Sequence, residues 1–193
     1  MAVFWCLNCV GNSHKGVLSA LTELAKFCLP NVGLGMFVII KEIQIHLRSC
    51  STMIDKELYN AVKNLVEERY PNGWGGAAAI RVEDGTIYTS VAPEVINDST
   101  NLCMETGAIL DAHKYNKKVT HSICLAREDE HSPLKVLSPC GVCQERLFYW
   151  GPQVQCAVSN DTQAIIFKAL KELQPYHWTD TYYKEFTEHW QKI

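Results

Sequence analysis

The stretches Cys103-Met104-Glu105 and Pro139-Cys140-Gly141-Val142-Cys143 decide how this 193-residue chain is interpreted. Together they supply three thiols and one carboxylate. Three cysteine thiolates can bind a zinc ion at about 2.3 Å each and leave the fourth tetrahedral position open, which is the form of a catalytic zinc site. The sequence therefore predicts one Zn²⁺ ion bound by Cys103, Cys140 and Cys143.

Glu105 lies two residues after the first of these cysteines. On a helix that starts there, Cys103 and Glu105 could approach the same metal while the carboxylate stays outside the coordination sphere. A carboxylate beside a metal-activated water can carry protons to a ring nitrogen and to a leaving amine. We therefore predict that Glu105 is a proton-transfer residue and not a ligand. Cys140 and Cys143 follow a proline, which is typical of a helix N-terminus whose dipole stabilises thiolates.

A Cys-x-x-Cys pair on its own also occurs in redox couples and in buried cores. A structural zinc site would need a fourth ligand, and Cys124 and His121 are the available residues. Residues 119–125 alternate like a half-buried strand, so we expect Cys124 to be a core residue. The joint pattern favours a catalytic site, because Cys-x-Glu, a gap of about thirty residues and Pro-Cys-x-x-Cys match the zinc-dependent nucleobase deaminases.

From about Met53 to its end, the chain resembles the small homo-oligomeric cytidine deaminases, including the blasticidin-S deaminase branch. Their Tyr-x-x-Phe-x-x-Gly-Ala-Ala segment corresponds here to Tyr70-Pro71-Asn72-Gly73-Trp74-Gly75-Gly76-Ala77-Ala78-Ala79. Glu83-Asp84-Gly85 then supplies a hairpin turn, and Thr86 to Val91 the second strand. The resemblance implies that Trp74 takes the place of the aromatic residue that lines the base pocket.

One departure from the family concerns the ribose contacts. The family carries Asn-Val-Glu, whose Asn and Glu bind the ribose, and this chain has Ala92-Pro93-Glu94 at that place. The resemblance implies that Glu94 binds substrate. The replacement of Asn by Ala92 removes one ribose contact.

A second departure concerns charge around the metal. The family has arginines directly after the catalytic Glu and after the last Cys, and they offset the charge of three thiolates. Thr106 and Gln144 occupy those positions here. We expect another donor to replace them, with Arg146 and Gln144 the nearest in sequence. Simple surface placement of Arg146 on a helix is the alternative.

The resemblance implies a zinc-dependent aminohydrolase that converts cytidine or deoxycytidine to the uridine product and ammonia, by attack of activated water at C4. Because Ala92 removes a ribose contact, a modified cytosine nucleoside such as blasticidin S, or another amino-heterocycle, stays open as the substrate. A non-catalytic zinc-binding module for binding or assembly is the alternative from another class. Glu105 argues against that alternative, since a structural site needs no carboxylate beside its ligands.

Composition bounds the remaining possibilities. The chain is 47% hydrophobic and 20% charged, values that are normal for one globular domain. Its net charge is only -3, and it lacks the basic runs that bind nucleic acid polymers, so a small-molecule nucleoside is the favoured partner. The nine cysteines are irregularly spaced, which fits a reducing cytoplasmic compartment better than a disulfide framework.

The hydrophobic periodicity predicts alternating helices and strands. The expected elements are helix 55–70, strands 76–82 and 86–91, helix 101–115, strand 118–126, helix 141–149, strand 154–158, helix 161–173 and an aromatic segment 176–193. This order predicts an α/β fold. With the resemblance, it becomes a three-layer α/β/α cytidine-deaminase-like sandwich with a mixed sheet.

Residues 1–52 fall outside this pattern, and we predict that they form an N-terminal extension to a catalytic domain of residues 53–193. The extension is either a leader outside the domain, in which case Cys6 and Cys9 are incidental, or a targeting or regulatory segment. The apolar window 27–40 is too short to span a bilayer and the first residues lack a positively charged region, so no membrane anchor is expected. If the extension packs on the domain, Val32 to Ile40 would add a strand.

The resemblance also implies a homo-oligomer, most often a tetramer, whose pockets are built by neighbouring subunits. Six aromatic residues near the C-terminus fit a subunit interface: Tyr176, Trp178, Tyr182, Tyr183, Phe186 and Trp190. They could instead cap the core of their own subunit. The sequence leaves both interpretations open.

Overall fold

The computed structural model describes residues 53–162 and 164–193, and only the backbone of Tyr183. Residues 53–69 form the first helix, α1. The later elements are β1 (Gly75–Val82), β2 (Ile87–Ser90), α2 (Thr106–Lys114), β3 (Val119–Arg127), β4 (Lys135–Leu137), α3 (Gly141–Leu147), β5 (Gln155–Ala157), β6 (Phe167–Ala169), α4 (Leu170–Leu173) and α5 (Tyr183–Lys192). Three 3-10 turns connect them at Asp98–Thr100, Phe148–Trp150 and Trp178–Tyr182.

The strands form one mixed sheet in the order β2-β1-β3-β5-β6, with β4 also paired to β3. β1 runs antiparallel to β2 and β3, whereas β3 and β5 run parallel. The hairpin between β1 and β2 turns at Gly85, whose φ of +89° favours glycine. Ser90, at the end of β2, contacts the turn before α2, and β3 lies in sequence between the two predicted metal-binding segments.

Helices cover both faces of the sheet. Six consecutive residues of β1, Gly75 to Ile80, are buried, and consecutive strand residues point to opposite faces. On one face, a Cβ added at Gly75 would lie 2.9 Å from Val66 of α1. On the other face, Ile80 packs in a core cluster with residues of α2 and α3, among them Ile109 and Leu147. The α/β fold with a mixed sheet in a three-layer arrangement is thus confirmed.

Most predicted elements are confirmed with small shifts of their ends, but one is wrong. The helix expected at 161–173 begins only at Leu170, and Phe167–Ala169 form β6 instead. The side chain of Asn160 accepts a hydrogen bond from the Thr162 amide and donates to the carbonyl of Ala164, which favours a turn. β5 then supplies a paired edge for 167–169.

Two smaller corrections concern the metal-binding segments. The helix expected at 101–115 starts at Thr106, so Cys103 and Glu105 lie in the turn before it. The helix expected at 141–149 ends at Leu147 and continues as a 3-10 turn. The predictions for residues 1–52 lie outside the described residues. Within the described part of the chain, every helix is too short or too polar to cross a membrane.

Candidate metal centre and active site

The three predicted ligands come together between the starts of two helices. Cys103 lies in the turn before α2, while Cys140 is the N-cap residue of α3 and Cys143 lies in its first turn. The Sγ atoms of all three cysteines lie within 4.8 Å of one another, and those of Cys103 and Cys140 are 3.1 Å apart. Elsewhere in the described residues, no other group of three or more His, Cys, Asp or Glu side chains could hold a metal ion.

The spacing of the sulfur atoms fits a tetrahedral metal. Zinc–sulfur bonds of about 2.3 Å at tetrahedral angles place two sulfurs about 3.8 Å apart. One sulfur pair is closer than that value at 3.1 Å, and no pair is more than 4.8 Å apart, so small side-chain rotations would bring all three sulfurs to ligand distance. Three soft thiolate donors with a fourth position open could therefore hold a metal ion.

Cys140 is the thiol that is best stabilised as an anion. Burial opposes its ionisation, but hydrogen bonds from the Cys103 thiol and from the backbone amides of Cys143 and Val142 outweigh it and lower its pKa. Burial raises the pKa of Cys143 far above the ordinary thiol value. The N-terminus of α3 thus favours the first thiolate, and a bound cation would be needed to ionise Cys143.

Glu105 is buried, with 3% of its surface exposed, and its carboxylate faces the cysteines. Glu105 Oε2 lies 3.5 Å from Cys143 Sγ. Burial raises the pKa of Glu105, while its hydrogen bonds and the charge of Arg146 partly oppose that rise. A carboxyl group in this environment binds a proton more readily than an exposed one does.

Arg146 lies between the two ligand-bearing helices. Its Nη1 donates a hydrogen bond to Thr106 Oγ1 at 2.8 Å, which links α3 to the start of α2. Gln144 has a different partner, since its Nε2 donates to the carbonyl of Pro139 at 2.8 Å. Its Oε1 accepts from Gln174. Arg146 therefore supplies a positive charge near Glu105, and Gln144 holds the loop that precedes Cys140.

This arrangement is matched by solved structures. The cytidine deaminase from Bacillus anthracis is 76% identical in an alignment that covers 72% of this chain and 99% of that chain, with a TM-score of 0.71. The chain belongs to the cytidine deaminase family. A second cytidine deaminase, from Burkholderia pseudomallei, is 20% identical, covers 64% of this chain and 98% of its own, and with a TM-score of 0.50 shows the shared fold. No protein-family model and no curated protein matches the chain.

In this member of the cytidine deaminase family, Trp74 lies beside the turn that contains Glu105. A Cβ added at Gly76 would lie 2.7 Å from Met104 Sδ and 3.1 Å from Cη2 of Trp74, so both side chains contact this glycine. Trp74 is 53% exposed, and its ring meets Tyr70 edge to face at 5.9 Å. The structure therefore brings the predicted base-pocket aromatic next to the Cys103–Glu105 turn.

Glu94 lies in the exposed loop after β2. Its Oε1 accepts a hydrogen bond from Arg69 Nη2 at 2.7 Å, and 78% of its side chain is exposed. The guanidinium of Arg69 also lies 5.3 Å from the centre of the Tyr70 ring. The loop that carries Glu94 is thus tied to the end of α1, on the same side as the Trp74 and Tyr70 rings.

The two alternative ligands, Cys124 and His121, lie on β3 and have other contacts. Cys124 is buried on β3, where it pairs with Ala78, and burial raises its pKa. The prediction that Cys124 is a core residue is confirmed. His121, on the same strand, packs its ring against Phe167 and contacts Thr120 Oγ1 through Nδ1.

Ser90 is a site residue that the sequence did not indicate. The hydroxyl of Ser90, at the end of β2, donates to the carbonyl of Met104 and accepts from the amide of Ala108. Its partners are fourteen and eighteen residues away in sequence. Because no motif or periodicity links a strand-end serine to a distant helix, only the folded structure reveals this contact.

Proposed function

We propose that this protein hydrolyses cytidine or deoxycytidine to uridine or deoxyuridine and ammonia, as a zinc-dependent enzyme. One observation carries the proposal beyond family membership. The buried carboxylate of Glu105 lies 3.5 Å from a thiol of the three-cysteine cluster. A structural metal site gains nothing from a buried, proton-binding carboxylate beside its ligands, whereas hydrolytic deamination requires one.

Cys103, Cys140 and Cys143 are the proposed zinc ligands. When bound, zinc would polarise a water molecule and supply the nucleophile for C4 of cytosine. Glu105 would carry the first proton of that water to N3 of the ring, and the second, from the hydroxyl group then on C4, to the amino group, which leaves C4 as ammonia. Its buried position keeps bulk water away from these transfers, and its raised pKa suits both accepting and donating protons.

Trp74 and Glu94 are the proposed substrate contacts. The indole ring beside Met104 could stack on the pyrimidine base, and the Glu94 carboxylate could accept hydrogen bonds from ribose hydroxyls. Arg69 already occupies one oxygen of Glu94. The second oxygen of Glu94 would then be the one that substrate contacts.

A modified cytosine nucleoside such as blasticidin S, or another amino-heterocycle, is the second candidate substrate. The observation that favours it is the pair of changes at the ribose site: Ala92 has no hydrogen-bonding side chain, and Glu94 shares its carboxylate with Arg69. A site with fewer polar ribose contacts discriminates less strongly against an altered sugar, because fewer buried polar groups are left unpaired.

Ammonia release from a substrate panel tests the proposal. Purified protein loaded with zinc is incubated with cytidine, deoxycytidine, cytosine and blasticidin S, and ammonia is measured against a Glu105→Gln control. Release from cytidine or deoxycytidine that depends on Glu105 is the expected result. Ammonia release from blasticidin S or cytosine alone would mean that cytidine and deoxycytidine are not the substrates. Zinc binding without any ammonia release would favour a non-catalytic zinc-binding module.

We further propose a homotetramer that acts in the cytoplasm in pyrimidine salvage. Large apolar side chains on the described surface support assembly, among them Ile96, Leu110 and Tyr176, the last of which is 95% exposed. In contrast, Trp190 donates a hydrogen bond to the Phe148 carbonyl, and its ring packs on the ring of Phe148. Part of the aromatic segment 176–193 therefore covers the core of its own subunit. Light scattering that gives a fully active monomer would contradict a shared pocket.

A further inference from the structure

Ser90, the last residue of β2, contacts the turn before α2 through its hydroxyl group. Ser90 Oγ donates a hydrogen bond to the carbonyl oxygen of Met104, and the backbone amide of Ala108 donates to Ser90 Oγ at 2.9 Å. Met104 and Ala108 are four residues apart, the spacing that a regular α-helix joins by a direct hydrogen bond. The hydroxyl of a residue on the sheet therefore bridges two groups that would otherwise bond to each other.

Hydrogen bonds hold the backbone on both sides of Glu105, and the bridge supplies one of them. The Met104 carbonyl belongs to the planar peptide group that joins Met104 to Glu105, so the bond from Ser90 sets the orientation of that plane. On the other side, the carbonyl of Glu105 accepts a hydrogen bond from the Ile109 amide at 3.0 Å. A side chain inserted into the helical ladder also widens the turn locally. The bridged turn carries Glu105, whose Oε2 lies 3.5 Å from Cys143 Sγ.

Gly107 gives a second, independent sign that β2 and the turn must lie close together. A Cβ at Gly107 would lie 2.8 Å from Ser90 Cβ, closer than two such carbons approach. Glycine is unfavourable inside a helix, and here its lack of a side chain leaves room for Ser90. The close approach that the bridge requires is therefore built into the sequence of α2.

We propose that Ser90 is a positioning residue for deamination, which sets the carboxylate of Glu105 at its working distance from the thiol cluster. This inference rests on the proposed function for the reaction that Glu105 serves. Cys103 precedes the bridged peptide and would be fixed by the metal as one of three ligands. Glu105 is not a ligand, so the backbone turn, and through it Ser90, determines where its carboxylate lies.

The test compares Ser90→Ala with the matched control Thr89→Ala. Both changes remove a hydroxyl group from β2, but Thr89 is exposed. We expect Ser90→Ala to keep one zinc per chain, an unchanged cobalt(II) spectrum and an unchanged KM, while kcat falls about 30- to 100-fold, the cost of a misplacement of about 1 Å. Thr89→Ala should behave as wild type. In a Glu105→Gln background, Ser90→Ala should cause no further loss, because the residue through which it acts is already removed.

A crystal structure of Ser90→Ala gives a readout that does not depend on turnover. We expect the Ala108 amide to bond directly to the Met104 carbonyl and the Glu105 carboxylate to move away from Cys143. A wild-type kcat, an equal loss of kcat in the Glu105→Gln background, a loss of zinc, or an unmoved carboxylate would each overturn the role of Ser90. If wild-type protein releases no ammonia from any nucleoside, the proposed function fails, and the position of the carboxylate still decides the role of Ser90.

Discussion

Glu105 is buried although an ionised carboxylate is costly to remove from water, and its surroundings limit that cost in three ways. Its carboxylate lies near the Cys143 thiol, the charge of Arg146 acts on it, and its raised pKa allows it to hold a proton. The same features suit a group that must take and give protons within one catalytic cycle. The environment that makes Glu105 tolerable in the fold is therefore also the one that makes it useful.

The first prediction concerns this carboxylate. Glu105→Gln should keep its zinc and its fold, because the amide has the same shape and the predicted ligands are the three cysteines. Turnover should fall by about 10²- to 10⁴-fold, the usual contribution of general acid-base catalysis. Zinc content and kcat are the measurements.

Glu145→Gln is the matched control for that variant. It makes the same chemical change on α3, at a carboxylate that contacts His177 and Trp178. It should retain activity. Near-normal ammonia release by the Glu105 variant would rule out its role in proton transfer.

The second prediction concerns Arg146, which we expect to offset the charge of three thiolates and one carboxylate. Arg146→Met keeps the length of the side chain but removes its charge and its bond to Thr106. Zinc affinity, measured by competition with a chromophoric chelator, should fall about 10- to 100-fold, as for other groups that contact a metal site indirectly.

Arg81→Met is the control for the loss of a positive charge. It changes the net charge equally, but Arg81 pairs with Glu57 of α1 on the opposite face of the sheet. Its zinc affinity should equal that of wild type. If Arg146→Met also binds zinc normally, the charge on the thiolates must be compensated elsewhere.

The three cysteines and Glu105, which the structure brings together, could be selected from the sequence because their chemistry is encoded in short spacings. Cys-x-Glu and Pro-Cys-x-x-Cys each place their side chains together through local backbone geometry, whatever the rest of the fold. Ser90 could not be found in this way, since its role depends on how closely β2 approaches α2. The same holds for the contact between Arg146 and Thr106, which are forty residues apart.

At the scale of elements, the site consists of two helix starts held side by side. The turn before α2 carries Cys103, and the N-terminus of α3 carries the other two cysteines. Between these segments, Arg146 contacts Thr106, the Cys143 thiol contacts Glu105, and the thiols of Cys103 and Cys140 lie side by side. A bound metal would therefore connect two elements that the sequence separates by more than thirty residues.

The third prediction follows from this connection. Removal of zinc by a chelator under reducing conditions should lower the melting temperature by on the order of 10 °C, because a ligand at 1,000 times its Kd contributes about 4 kcal/mol. The reducing agent matters, since Cys103 and Cys140 lie 3.1 Å apart at their sulfurs and could otherwise form a disulfide. Calorimetry with and without chelator is the measurement.

Cys103→Ala serves as the control for metal removal. With one ligand missing it should bind zinc weakly, so the chelator should change its melting temperature little. An equal shift in both proteins would mean that the chelator acts somewhere other than the three-cysteine cluster.

Secondary structure was predicted well where the hydrophobic residues followed one clear period, and it was predicted wrongly where a helix and a strand were both possible. The helix α1 was predicted well, because Leu58, Val62 and Val66 recur at helical spacing and are all buried. The segment 161–173 was assigned to a helix, but Phe167–Ala169 gain hydrogen bonds by pairing with β5. Tertiary pairing of this kind overrides local preference, and single-sequence reasoning cannot detect it.

At the scale of the whole molecule, the described core lies within residues 57–193, which form one compact unit. Its buried apolar side chains begin with Leu58 and end with Leu170, and Trp190 and Ile193 pack against the same cluster. Lys118 Nζ also donates to the backbone carbonyls of Trp190 and Ile193, so the C-terminus is tied to β3. The catalytic domain proposed for residues 53–193 therefore has a core and a site of its own.

The last prediction concerns residues 1–52. A protein that starts at Met53 retains α1, every strand of the sheet, the three thiols and Glu105, so we expect it to fold and to bind one zinc ion. Its melting temperature, zinc content and turnover on cytidine should match those of the full chain. α1 should tolerate the cut because Asp55 and Glu57 place negative charge in its first turns, which favours a helix N-terminus. An insoluble or inactive product would show that residues 1–52 are needed, with Val32–Ile40 as the segment expected to pack on the domain. A soluble protein with an altered oligomeric state would instead assign residues 1–52 to assembly.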